Sequence, residues 1–405
     1  MARMTRAQKI TREMEEEALE FFRTVLGQLP DPRRAQGMRY PLPTVVVTAL
    51  MAMVCGADDA QAMEQWSESN EQWLSEFLDM PHGAPSQDVY LAVLGALDAE
   101  AFQAVFRAWA HVLSLRLQAS GRGQHLAIDG KTSRRSFDTA SGAKALHTVS
   151  AWLSEAGLVV GQVKTDEKSN EIKAIPELLR LLDLRGTTVT IDAMGCQTSI
   201  AQTIVDSGGD YLLPVKDNQP TLSDEIQICF AEADDDRLRA TDEPPRPQLE
   251  RFQHVEKGHG RLEGRTVEIC RDLEWITTSN RWTGLSFVAR VVRERTVLTS
   301  DKTSTETAYY IGSDPTATAE AVADSIRRHW QIENQLHWVL DVAFREDEAR
   351  HRAKNAAANM TLLRHFALNI IKNDRSRKLG IANSRKRAGW DRGYLLSLLS
   401  NIGAS

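Results

Sequence analysis

Three acidic residues occupy positions at which a carboxylate could do chemistry. Asp129 ends one apolar run (LAID) and Asp192 ends another (VTID), so each is expected at the end of a strand, where a sheet edge meets solvent. A lone Asp at such a place can simply cap a turn or the next helix. Two carboxylates about 4 Å apart, however, repel by roughly 4 kcal/mol at an effective dielectric near 20. Such a pair normally holds cations or shares a proton.

The third acid, Glu333, lies in a segment with a helical pattern (RRHWQIENQLHWVLD), with a histidine one turn away on each side. His329, Glu333 and His337 could bind zinc together, although the chain has neither an HExxH motif nor a close pair among its four cysteines. Two other interpretations are open. Glu333 could be a surface acid on a helix whose core residues are Trp330, Leu336 and Trp338, or it could join the two aspartates.

The surrounding elements predict that Asp129 and Asp192 belong to one sheet. From Gln124, three apolar runs separated by turn-like residues predict three antiparallel strands. They are followed by an amphipathic helix over 171–182, a strand ending at Asp192, a helix over 197–205 and a strand over 210–216. The order β-β-β-α-β-α-β predicts an α/β fold with a mixed sheet flanked by helices, as in the ribonuclease H-like fold.

The same patterns divide the 405-residue chain into five segments. We expect a helical N-terminal domain that binds DNA over 1–119 and the first part of the ribonuclease H-like core over 120–218. An inserted, mainly β subdomain follows over 219–315, then the closing helices of the core over 316–372. A basic C-terminal tail over 373–405 completes the chain.

Composition is that of a globular protein, with 42% hydrophobic and 26% charged residues. The apolar run over 42–56 is shorter than the roughly 20 residues of a membrane span, and no apolar stretch follows the basic N-terminus. We therefore expect a cytoplasmic protein without a membrane partner. The net charge is −6, yet Lys and Arg dominate 352–392 and acids dominate 224–250. On charge alone, the basic end could meet phosphates or be a solvated helix face.

Eight motifs in order carry a family resemblance: LPDPRR (29–34), HGAPSQD (82–88), AIDGK (127–131), TDEKSNEI (165–172), TIDAMGCQ (190–197), GGDYLLPVKDNQ (208–219), HGRLEGR (259–265) and HWQIENQLHWVLDVAFRED (329–347). On these the chain resembles the H-repeat-associated insertion-sequence transposases (the ISAs family) of the DDE transposase superfamily. The resemblance implies that Asp129, Asp192 and Glu333 form the catalytic triad and hold two Mg²⁺ or Mn²⁺ ions.

The resemblance also implies an activity and a partner. Two metal ions can activate a water or a 3′-hydroxyl and stabilise the leaving oxygen, which suits cleavage at transposon ends followed by strand transfer into target DNA. We expect a homodimer or a larger synaptic assembly on DNA. The alternatives are a DNA-binding remnant that has lost catalysis and a ribonuclease H-like nuclease without strand transfer. The presence of all three acids opposes the first, and the additional domains oppose the second.

The chain departs from the family pattern in three places. PSQDV (85–89) replaces a form like PSHDT, and Asp217 replaces a glycine. The wider group also carries a Lys seven or eight residues after the catalytic Glu, where this chain has Leu340 and Asp341. The missing phosphate contact is therefore expected from one of three residues near Glu333: Arg328, His329 or His337.

Further DNA contacts are expected at three places. They are the segment after Asp129, the end of the fifth strand and the basic tail, with the residues Lys131 and Arg134, then Lys216, Asn218 and Gln219, then Arg385, Lys386 and Arg387. Trp330 could stack on a flipped base, but we expect it in the core.

Overall fold

The computed structural model describes residues 24, 26–34, 38–117, 124–137, 142, 144–165, 170–238, 247–258, 260–300, 302–374 and 379–403. Most of the helix predicted over 17–29 lies outside these residues. So do residues 166–169 of the TDEKSNEI motif, most of the DEPPRP stretch and residues 375–378 of the basic tail.

Helices dominate the N-terminal segment, as the spacing of its apolar residues predicts. They are α1 (Leu42–Val54), α2 (Ala60–Ser69), α3 (Glu71–Leu74), α4 (Gln87–Ala96) and α5 (Ala99–Leu117). Helix α1 is apolar on all sides and almost wholly buried, so it is a core helix of this segment. Among the described residues no single helix is long and apolar enough to span a membrane, and Gln87–Ala96 with Ala99–Leu115 would qualify only as a pair bent by 90°.

A mixed sheet follows, with the predicted order of elements. Its first five strands are β1 (Gln124–Thr132), β2 (His147–Leu153), β3 (Leu158–Thr165), β4 (Thr187–Ile191) and β5 (Asp210–Val215), with α6 (Glu171–Arg180) and α7 (Thr198–Asp206) between them. These strands lie in the order β3-β2-β1-β4-β5. Strand β4 is parallel to β1 and β5, whereas β1, β2 and β3 are antiparallel neighbours. The carboxyl ends of β1 and β4 therefore meet at one edge.

The segment predicted as an inserted β subdomain continues this same sheet. After α8 (Pro220–Leu238) come β6 (Leu249–Gly258), β7 (Arg261–Cys270), β8 (Phe287–Val297) and β9 (Lys302–Gly312). Strand β9 pairs antiparallel with β5, which gives a nine-stranded sheet in the order β3-β2-β1-β4-β5-β9-β8-β7-β6. The C-terminal half of β6 and the N-terminal half of β9 are exposed. The insertion is thus mainly β, but its strands do not form a separate sheet.

The chain then returns across the sheet in a broken helix. Helix α9 (Ala319–His329) packs on β1, β4, β6 and β7 and is followed by a π-helical segment, Glu333–His337, and by α10 (Trp338–Ala343). Helix α11 (Ala356–Lys372) is buried along nearly its whole length. The ring of Phe366 on α11 lies 4.8 Å from the rings of both Phe106 and Trp109 on α5. The N-terminal helices therefore share one hydrophobic core with the closing helix.

The predicted basic tail contains two helices that belong to this core, α12 (Ile381–Trp390) and α13 (Arg392–Gly403). Tyr394 and the four leucines of the LLSLL run (395–399) are buried, and α12 packs against α1 and α11. The segment expected to be a basic tail therefore forms helices over residues 381–390 and 392–403. The apolar spacing in this run supplies the buried face.

Candidate active site

The pairing of two parallel strands brings the two candidate aspartates side by side. In the register of β1 and β4, Ile128 lies opposite Ile191. Asp129 directly follows Ile128, and Asp192 directly follows Ile191. The Asp129 carboxylate accepts a hydrogen bond from the Gly130 amide at 2.8 Å. Asp192 caps a short 3₁₀ turn by accepting from the Gly195 amide at 3.2 Å. Both carboxylates thus lie at the edge where the sequence places them.

Glu333 reaches the same edge from the helical segment that crosses the sheet. Its carboxylate lies 3.1 Å from Nδ1 of His337, and that nitrogen lies 3.5 Å from the Asp129 carboxylate. Ligand atoms of Asp129, Glu333 and His337 all fall within 4.8 Å of one another. We call these three residues the Asp129–Glu333 cluster. Asp192, which directly follows β4, is not a member of this closest group, although its negative charge acts on Asp129.

The electrostatics of the cluster reflect its burial and its crowding. The pKa of Asp129 is raised, mainly by burial and also by the negative charges of Asp192 and Glu171, against the opposing effects of His337 and the Gly130 amide. The pKa of Glu333 is lowered, mainly by its hydrogen bond with His337. The side chain of His337 is buried, and within the described residues its Nε2 has no hydrogen-bond partner.

The second histidine of the predicted ladder points away from the cluster. His329 Nδ1 lies 3.0 Å from the hydroxyl of Thr190 on β4, and the same hydroxyl lies 3.1 Å from Nε2 of His125 on β1. Burial lowers the pKa of His329 to about 4 and that of His125 to about 3, so both rings are neutral near pH 7. His329 therefore joins the helix to the sheet. The structure supports neither a zinc ladder nor a phosphate contact for this residue.

A second acidic cluster lies beside the first and is built around Lys131. The Lys131 ammonium lies 2.7 Å from the Asp341 carboxylate, 3.9 Å from that of Asp347 and 4.0 Å from that of Glu346. We call these four residues the Lys131 cluster. Lys131, expected to contact DNA, is thus surrounded by three acids of the protein itself. Their only sequence signal is their position in the motif that follows Glu333. Arg134 contacts Asp347 at 3.3 Å from the exposed side.

Two residues predicted to bind DNA instead hold the loop that follows Asp192. The Asn218 amide donates to the carbonyl oxygen of Ala193 at 2.8 Å, and the Gln219 amide donates to that of Cys196 at 3.0 Å. Lys216, at the end of β5, is exposed. Arg328 forms ion pairs with Glu155 and Asp324. Asn218 and Gln219 therefore position the turn that carries Asp192.

Arg385, expected in a DNA-binding tail, is buried in the structure. Its guanidinium donates to the carbonyl oxygens of Met53 and Ala343, pairs with Asp58 at 2.7 Å and lies over the ring of Phe344. A buried guanidinium with these partners is not available to a phosphate, so the structure contradicts that expectation. Its neighbours differ, since Lys386 is exposed and Arg387 is half-buried over the ring of Tyr394.

The two tryptophans beside Glu333 are surface residues. Trp330 is 57% exposed and Trp338 is 59% exposed, whereas Leu336 between them is fully buried. The expectation of a core position is therefore wrong for both indoles. At about 100° per residue, Trp330 and Trp338 fall within about 80° of each other around a helix and Leu336 falls on another face, so only the face with Leu336 is buried.

Comparisons with known proteins identify relatives over nearly the whole chain. The family model described as "DDE_Tnp_1-associated" matches residues 23–110, and the one described as "Transposase DDE domain" matches residues 120–370. The "H repeat-associated putative transposase YhhI" of Escherichia coli K12 is 36% identical over 380 residues, which cover 93% of this chain and 97% of that protein. The "Putative transposase YncI" of Escherichia coli O157:H7 is 36% identical over 386 residues, covering 93% of each.

Proposed function

The chain belongs to the DDE transposase family, and from this premise we propose that it cleaves DNA at the ends of an insertion sequence and joins the freed 3′-hydroxyl to target DNA. One observation carries the proposal. Asp129 and Glu333, more than 200 residues apart in sequence, meet at one sheet edge around a buried histidine, and Asp192 follows the end of the neighbouring strand. Such a concentration of carboxylates is suited to phosphodiester chemistry.

We infer that the first five strands form a ribonuclease H-like core. Their order along the chain, with α6 and α7 between β3, β4 and β5, is the one that predicts this fold, and in the sheet they form a parallel centre with an antiparallel side. The strands β6 to β9 then act as an extension of the core. They carry the chain across the sheet and back, so that the helix with Glu333 returns to β1 and β4.

The donor set fits divalent cations. Carboxylate oxygens are the ligands that Mg²⁺ and Mn²⁺ prefer, and the Asp129–Glu333 cluster contains no ammonium or guanidinium of its own. The unpartnered Nε2 of His337 is a further polar atom that the described residues leave unsatisfied. We therefore assign two ions to Asp129, Asp192 and Glu333. When bound, such ions stabilise developing negative charge and make a water or hydroxyl a better nucleophile.

The protein's own residues keep these carboxylates in place. His337 lies between Glu333 and Asp129 and is fixed by burial, so it holds the two acidic side chains at one spacing. The turn after Asp192 is held by the amides of Asn218 and Gln219. Preorganisation of this kind lowers the cost of ordering the site when DNA arrives.

We assign DNA contacts to the solvent-facing residues around the cluster. Arg134, Lys216 and Lys386 are exposed cations that can meet phosphates. The exposed indoles of Trp330 and Trp338 lie on the helical segment that carries Glu333 and can stack on bases near the cut. A homodimer or larger assembly would hold two transposon ends together for strand transfer.

The test is a cleavage reaction with labelled element ends. Purified protein is incubated with the end DNA and a supercoiled target plasmid in Mg²⁺, in Mn²⁺ or in EDTA. We expect cleavage that leaves a 3′-hydroxyl, followed by joined products, in both metals and not in EDTA. Cleavage without joining would identify a nuclease instead. End binding without cleavage in either metal would identify a remnant that has lost catalysis.

A further inference from the structure

One acid of the TDEKSNEI motif lies beneath the proposed active site and has no role in the mechanism above. Glu171 is the first residue of α6 and only 3% of its surface is exposed. Burying a carboxylate without a partner costs several kcal/mol, so a residue in this position needs hydrogen bonds or a nearby positive charge. Its surroundings therefore indicate why a Glu is present.

The partner of Glu171 is a buried histidine on β2. Nε2 of His147 lies 2.6 Å from the Glu171 carboxylate, and Nδ1 lies 2.7 Å from the hydroxyl of Thr132 on β1. His147 is 3% exposed and stands opposite Thr132 in the β1–β2 register. The three side chains thus form one hydrogen-bonded row that ties the start of α6 to the end of β1. We call the first two residues the Glu171–His147 pair; Thr132 connects this pair to β1.

The pair occupies the space next to Asp129 along the strand. A Cβ atom at Gly130 would lie 2.3 Å from Oε1 of Glu171 and 2.8 Å from Nε2 of His147, so no side chain can replace the glycine hydrogen without moving the pair. Successive residues of a strand face opposite sides of the sheet. The pair therefore supports the strand end from the face opposite to Asp129. The charge of Glu171 is also among the causes that raise the pKa of Asp129.

We propose that Glu171, held by His147 and Thr132, is a positioning residue for the metal site: it fixes the end of β1 and adds a buried negative charge beneath Asp129 that strengthens cation binding. The proposal rests on the proposed function, since it assumes that Asp129 binds a divalent ion. Residues behind the direct ligands of a metal typically change its affinity by about 10-fold to 100-fold when mutated.

The test compares two acids of the same helix. Glu171→Gln keeps the shape of the side chain and removes its charge, and Glu177→Gln makes the same change at an exposed position of α6. Mn²⁺ binding to the DNA-free protein is measured by electron paramagnetic resonance of the free ion, which requires no turnover. We expect about 10-fold weaker Mn²⁺ binding for Glu171→Gln and wild-type binding for Glu177→Gln. Glu171→Asp, which keeps the charge, should recover part of the loss.

The outcomes separate this inference from the proposed function. Wild-type protein that binds no Mn²⁺ would contradict the metal site itself, and with it the proposed function. Normal Mn²⁺ binding by a folded Glu171→Gln variant would overturn the inference alone. If circular dichroism shows that this variant does not fold, Thr132→Val replaces it, because that change loosens the pair and removes no charge. About threefold weaker Mn²⁺ binding is then expected, and unchanged binding overturns the inference.

Discussion

Two acidic clusters lie side by side at the edge of the sheet, and they differ in how their charge is balanced. In the Lys131 cluster, an ammonium that is almost buried contacts Asp341 at 2.7 Å and lies within 4.0 Å of Glu346 and Asp347. In the Asp129–Glu333 cluster, the group between the carboxylates is a histidine. Asp129 and Lys131 are two residues apart on one strand and face the same side.

This difference indicates which of the two clusters requires a bound cation to offset its negative charge. In the Lys131 cluster each acid has a cation of the protein close to it, since Arg134 also pairs with Asp347 and the buried Arg364 lies 3.7 Å from Glu346. This cluster therefore behaves as a structural ion-pair network. The Asp129–Glu333 cluster has no such ammonium, and Asp129 lies next to the negative charges of Asp192 and Glu171, which a bound cation would offset. Counting acids in the sequence cannot separate the two cases, because both clusters draw on the same short motif after residue 329.

The largest expected effect comes from removing one carboxylate of the Asp129–Glu333 cluster. Glu333→Gln, like Asp129→Asn and Asp192→Asn, should reduce Mg²⁺-dependent cleavage of element ends by about a thousandfold or more. Binding of the ends should persist, since phosphate contacts come from other residues. Cleavage is measured on gels with labelled ends, and binding by electrophoretic mobility shift in Ca²⁺.

The matched controls come from the Lys131 cluster. Asp347→Asn and Glu346→Gln remove acids that the fold already balances, and they should lower cleavage by about 10-fold at most. Glu346 is buried and accepts a hydrogen bond from Thr361 at 3.0 Å, so its variant should act through stability. If Glu346→Gln or Asp347→Asn cut DNA less well than Glu333→Gln, the third metal ligand would be an acid of the Lys131 cluster and not Glu333.

The second prediction removes the balancing cation. Lys131→Met should leave three acids in mutual repulsion and lower the free energy of unfolding by about 2 to 3 kcal/mol, less than for a fully buried pair because Asp341 is one-third exposed. Urea unfolding of Lys131→Met and of Lys131→Met with Asp341→Asn measures this, and the second change should restore about half of the loss.

The Lys131→Met change should also convert the Lys131 cluster from an ion-pair network into a group of acids that binds a cation. The test uses a Glu333→Gln background, in which the proposed metal site is disabled. Ca²⁺ should raise the urea concentration at the midpoint of unfolding more strongly when Lys131 is also replaced by Met. The reason is that the three acids, without their ammonium, become a set of oxygen ligands. An equal effect of Ca²⁺ with and without Lys131 would show that the ammonium does not determine the difference between the clusters.

The sequence was a good guide where local patterns determine the structure. The order of the first five strands follows from alternating apolar residues and turn signals, and two aspartates at the carboxyl ends of parallel neighbours must lie close together. These arguments placed Asp129 and Asp192 correctly at one edge. They needed no contact between residues distant in sequence except the strand pairing itself.

The sequence was a poor guide where packing against distant parts of the chain decides the structure. Arg385 is buried because it bonds to Met53, more than 300 residues earlier, and no local pattern indicates such a contact. The apolar rings of Trp330 and Trp338 favoured a core position, but the helical face that packs on the protein is the one with Leu336, so both indoles lie at the surface. The continuation of the sheet likewise depends on the pairing of β5 with β9, in which Leu212 lies opposite Gly312, 100 residues later in the chain.

The smallest expected effect concerns Arg134, the exposed cation beside the Lys131 cluster. Its ion pair with Asp347 spans 3.3 Å and its side chain is 81% exposed, so Arg134→Ala should change the free energy of unfolding by about 0.5 kcal/mol or less. If Arg134 also contacts a phosphate, the slope of log affinity for DNA against log salt should decrease in magnitude by about 0.9 in Arg134→Ala.

Arg180→Ala, at the exposed end of α6, is the control and should leave this slope unchanged. Lys131→Met should also leave the slope unchanged, because its ammonium is already committed to Asp341. A slope that falls for Lys131→Met and not for Arg134→Ala would reverse this assignment and make the Lys131 cluster part of the DNA-binding surface.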